Sequence, residues 1–230
     1  MKTSFLAIGL VLLSLNSKAE IIFPASDSFI DEKLTALSEI NDLMGGASAA
    51  TPLMKTEGIL LWANRAAVIP NSDTGLYTET ELPSFTPKSA QNEAYLRALI
   101  EEQCECSTGE KEIIGVLIAN PYQAAKMYYR GGWSQRRADE VDGFVPPLVI
   151  IYHELAHAKD FFQNPDNFSD MATHLDRRWM NKAEESAVMQ QNDLAMAIIV
   201  KRGITIDRRR SYGRNDLYLV DDLLSIIPRD

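Results

Sequence analysis

Apolar positions along this chain follow two rhythms. From Phe29 to Leu43, the residues Phe29, Leu34, Leu37, Ile40 and Leu43 fall close to one helical stripe. That spacing predicts an amphipathic helix, with Ser28 as its cap and Gly45-Gly46 as its end. The stretches GILLWANRAAVI (58–69) and EIIGVLIAN (112–120) are instead predominantly apolar. The first is β-compatible and the second reads as a buried strand. NEAYLRALIEEQ (92–103) predicts a short helix, and the Pro-, Ser- and Thr-rich stretch at 70–90 a loop or hairpin.

Two longer helices follow. Pro146-Pro147 and Pro165 bracket LVIIYHELAHAKDFFQN to about 148–164, because a proline cannot lie inside a helix. This segment is apolar nearly all round, which predicts burial, so its polar groups need partners. Residues 181–203 form the second helix, with Asn181 as cap and Gly203 as stop. Its inward face runs through Glu184, Ala187, Val188, Gln191, Ala195, Ile198 and Ile199. Strands and helices mixed in this order predict an α+β domain over 20–230, since no repeat or composition shift marks a boundary.

Residues 1–19 stand apart. Lys2, the apolar run Phe5 to Leu15 and Ser17-Lys18-Ala19 read as a secretory leader cut after Ala19. The run is short for a membrane span, no cysteine follows it to carry a lipid, and no later stretch approaches membrane length. The mature chain is thus expected to be secreted or periplasmic. Removing the leader takes two positive charges from a chain already at −9. Such acidity argues against nucleic acid or an anionic membrane as the main partner. Arg208-Arg209-Arg210 is the one basic cluster, and on charge alone it reads as a solvated turn. Cys104 and Cys106 read as a loop with free or bridged thiols.

Chemistry concentrates at His153-Glu154-Leu155-Ala156-His157. On a helix the two histidines lie one turn apart and reach one zinc ion, while Glu154 is rotated aside, within reach of water. A catalytic zinc takes a third protein ligand. Asp160 and Gln163 stand where a metzincin would have glycine and its ligand, so that class is excluded. His174 reads as a surface histidine in a polar loop. Glu184, at the head of an apolar face, suits the ligand role, but Asn181-x-x-Glu184 is equally a capping box.

The helical HExxH followed by a glutamate on a later helix resembles the gluzincin peptidases. In them a small residue commonly follows the ligand glutamate three places on, as Ala187 follows Glu184; Val188 follows Glu185, the alternative. PPLVIIYHELAHA, EESAVMQQN and RGITIDRRRSY are similar to the bacterial effector zinc metallopeptidases typified by NleD, with Gln191-Asn192 standing where that family usually has Glu-Asn. Arg209-x-x-Tyr212 also resembles a pair in the clostridial neurotoxin light chains that assists the transition state. The resemblance implies a zincin-like domain and a zinc-dependent endopeptidase acting on protein or peptide, as an effector or toxin. It implies ligands His153, His157 and Glu184, Glu154 as base, and Arg209 and Tyr212 as oxyanion donors. The same residues also fit an exported zinc-binding or interaction protein without catalysis.

Overall fold

The computed structural model describes residues 20–46, 58–70, 77–128, 141–211 and 215–229, so the leader and Tyr212 lie outside the described residues. In chain order they form β1 (Glu20–Ile22), α1 (Ile30–Leu43), β2 (Gly58–Ala63), β3 (Ala66–Pro70), β4 (Tyr77–Thr80), β5 (Ser84–Pro87), α2 (Glu93–Cys104), β6 (Glu112–Ile118), β7 (Gln123–Tyr128) and β8 (Val141–Val145). Then come α3 (Pro147–Gln163), α4 (Pro165–Thr173), β9 (Leu175–Asp176), β10 (Met180–Asn181), α5 (Lys182–Arg202) and β11 (Asn215–Leu219). The architecture is mixed α+β.

All of β2 and nearly all of β6 are buried because helices cover both faces of their sheet. Its order is β1-β2-β6-β5, with β1, β2 and β6 parallel and β5 antiparallel at one edge. The two-residue period of a strand sends Leu60 and Trp62 to the core shared with α1, α3 and α5. Ile59, Leu61 and Ala63 go to the core under α2, against Leu96, Leu99 and Ile100. Gly115 admits β5 closely, since a Cβ there would stand 2.3 Å from the Thr86 carbonyl. A second, antiparallel sheet has the order β11-β7-β8.

Several expectations need correction. Ser28 does not cap α1; Asp27 does the local work, its Oδ1 accepting the Phe29 N–H at 2.9 Å. The run at 58–69 is two strands, because Asn64-Arg65 breaks it and β3 turns back to pair with β4. Pro165 does more than end α3. It is the first residue of α4, where the Asn164 side chain accepts the Asn167 N–H at 3.0 Å. Cys104 and Cys106 are bridged around Glu105, which adopts a left-handed conformation at the end of α2. No helix among the described residues is long and apolar enough to cross a membrane.

Candidate metal centre

Pro146 and Pro147 start α3, and from Pro147 to Ala158 every residue is buried. Rotation of α3 is therefore fixed by packing, and one face presents His153 and His157 together. Their Nε2 atoms are 3.2 Å apart, with the rings edge to face. Opposite them, Asn181 caps α5 by accepting the Glu184 N–H at 2.8 Å. That cap fixes where α5 begins, and the Glu184 carboxylate lies against the imidazoles. Oε2 is 3.4 Å from His153 Nε2 and Oε1 is 3.4 Å from His157 Nε2.

Nitrogen and oxygen ligands ~2.0–2.1 Å from one tetrahedral ion stand ~3.3 Å from each other. The three separations match that spacing, so the buried group His153, His157 and Glu184 could hold a metal ion. Glu184 Oε2, which faces the histidines, also has no hydrogen-bond partner. Glu185, the alternative, instead pairs with Lys182 at 2.6 Å on the outer side of α5. His174 is exposed at the end of α4.

The electrostatics treat the two histidines differently. Burial pushes the His153 imidazole down to about 4, against the pull of Glu184, so it stays neutral. Burial also opposes the charge on Glu184, yet the two imidazoles facing its oxygens hold its carboxyl far below the usual range. At His157 burial again acts downward, but the carboxylates of Glu184, Glu154 and Asp160 outweigh it and raise the pKa. Burial pushes Glu154 up to about 8, which suits a group that takes and returns protons near neutrality.

Side chains outside the cluster hold the two helices in place. Asp160 of α3 accepts from Ser186 Oγ at 2.7 Å and from Gln190 Nε2 at 3.1 Å, and Lys159 bonds Gln190. These contacts dock the first turns of α5, and Glu184 with them, on α3. Further along α5, the Asn192 amide brackets one backbone unit, accepting the Arg209 N–H at 2.8 Å and donating to the Arg209 carbonyl at 2.9 Å. Nearby, Asp207 accepts the Phe144 N–H and presses on Gly143, where a Cβ would meet it at 2.3 Å. The strand β8 and the segment before Arg209 therefore run in contact.

Arg208 and Arg210 are exposed, as a solvated turn would be, but Arg209 is buried, which corrects that reading for the middle residue. Its Nε donates to the Ser211 carbonyl, and it lines the same cavity as His153, Glu154, His157 and Glu184. That cavity has a volume of about 570 Å³. Its charge reaches the site, opposing protonation of His153 and Glu154.

The cavity walls held residues that the sequence pattern did not single out. Phe85 of β5 and Phe168 of α4 meet edge to face at 6.3 Å, and Phe168 stands edge-on to His157 at 6.1 Å. Asn164-Pro165 carried a usable signal for α4, namely a cap followed by proline at the first helical position. Nothing local marked Phe85. No family model matches the chain, and neither a curated protein nor a solved structure matches it.

Proposed function

We propose that this protein is an exported zinc metallopeptidase with a zincin-like domain of the gluzincin type, similar to the NleD-like effectors. The observation that carries the reading is the convergence of His153, His157 and Glu184 at ligand spacing, beside the buried Glu154 in one cavity. His153 and His157 would bind through Nε2 and Glu184 through its carboxylate. When bound, zinc supplies Lewis acidity that makes water nucleophilic near neutral pH. Glu154 accepts the proton of the attacking water and delivers it to the leaving amine, a role supported by its place in the cavity beside the histidines. Arg209 places positive charge beside the reacting carbonyl, and Tyr212 is assigned the second donor role by resemblance alone. The leader-like first nineteen residues support export.

The test is zinc per chain in wild type, Glu154→Gln and Glu184→Ala, followed by digestion of a casein and peptide mixture read by mass spectrometry. About one zinc is expected in wild type and Glu154→Gln and less in Glu184→Ala, with cleavage down by about 10²–10⁴-fold in Glu154→Gln. Full cleavage by Glu154→Gln would remove the base, and no zinc after reconstitution would remove the whole reading. Zinc retained without any cleavage by wild type would favour a zinc-binding protein that is not an enzyme.

A further inference from the structure

Three consecutive side-chain amides on α5 meet three different fates. Gln190 is taken up by Asp160 and Lys159, and Asn192 by the backbone of Arg209. Gln191, between them, is only 2 % exposed and lines the metal cavity. Among the described residues its amide makes no hydrogen bond. Its companions on that face of the helix are apolar: Ala187, Val188, Ala195 and Ile198 are all buried. Its amide atoms open onto the cavity rather than into the core, where a leucine or methionine would offer no hydrogen bond. The group is thus finished for something that enters the cavity.

We propose that Gln191 is a substrate-binding residue that hydrogen-bonds a peptide group of the chain held at the metal centre; this rests on the metallopeptidase reading. Gln191 is seven residues beyond Glu184, so it lies two helical turns, ~10 Å, further along the same face. That is the reach of about three residues of extended peptide, at ~3.3 Å each. A primary amide offers a donor and an acceptor side by side, the complement of a backbone peptide unit. Being uncharged, it selects for a peptide unit and against no particular side-chain charge. The bound segment would be read by its backbone at this point, while Phe85 and Phe168 supply apolar contact nearer the histidines.

Calorimetric titration of the zinc-loaded protein tests this with two probes. Acetohydroxamate reaches the metal alone; tri-alanine hydroxamate adds peptide groups. In Gln191→Met the Kd for the tripeptide probe is expected to rise about tenfold relative to that for acetohydroxamate, as loss of one buried hydrogen bond predicts. Gln191→Glu keeps the volume and loses the N–H donors, and the same ratio is expected to rise in it as well. Both variants holding the tripeptide probe within about twofold of wild type, or losing the two probes equally, would overturn the assignment. Wild type that binds zinc but neither hydroxamate would overturn the metallopeptidase reading instead, and this proposal with it.

Discussion

Where α1 meets β2, Lys33 Nζ lies 2.5 Å from Asp27 Oδ2 and 3.0 Å from the Trp62 carbonyl, while Asp27 Oδ1 accepts from Phe29 and Asn64. Where α3 meets α5, His153 and His157 are buried and Glu184 is partly so, yet Glu184 Oε2, facing the histidines, has no hydrogen-bond partner. Charge is buried in both places. In the first, donors and acceptors of one chain answer each other, and Phe23 and Trp62 add their ring faces to the ammonium. In the second, the lone pairs of three groups are aimed at a common point. The difference teaches how to tell a buried charge that shapes the fold from one that could hold a cation: by counting what remains unmatched.

Breaking the first cluster should have the largest effect. Asp27→Ala leaves Lys33 buried without its counter-charge and is expected to cost ~3–5 kcal/mol, seen in the denaturant midpoint equally with and without chelator. Glu184→Ala should change little in chelator but lose the ~2.7 kcal/mol that zinc at a hundred times Kd adds to wild type. Equal zinc stabilisation of Glu184→Ala and wild type would mean that the carboxylate is no ligand. A smaller loss is expected from Asp160→Asn, which weakens the contact from Ser186. Zinc affinity should fall by ~10–100-fold in a competition titration, with the far-ultraviolet spectrum unchanged. An affinity equal to wild type would leave the docking of α5 to its apolar face alone.

The mildest perturbation is pH. His157 has a raised pKa, so below it the metal-free protein carries a proton that ligation must expel. His153, at about 4, is already neutral over that range. Zinc affinity is therefore expected to drop as pH falls, by up to about tenfold per unit, with one proton released per ion. Calorimetry in buffers of different ionisation enthalpy counts that proton. A count of zero would put the proton elsewhere in the cluster.

Much of the centre was legible in the sequence because its signals are local. The prolines that bracket α3, the Asn181 and Gly203 ends of α5 and the spacing of His153, Glu154 and His157 each act within a few residues. Choosing Glu184 over Glu185 needed one further fact, the side of α5 that faces α3. Spacing could not reveal what depends on distant pairing. Phe85 reaches the cavity only because β5 runs antiparallel to β6. Arg209 sits in a run of three arginines whose composition reads as solvent-facing, and tertiary contacts with Asn192 bury the middle one. Asp27 and Lys33 were equally hidden, since six residues of separation do not announce an ion pair that is completed by Trp62 and Asn64.

The Asn192 bracket on residue 209 grips only main-chain atoms. Its hold is therefore blind to the side chain it delivers. The side chain adds a hold of its own, its Nε donating to the Ser211 carbonyl from a buried position. Position 209 is thus fastened twice, once through its main chain and once through its side chain.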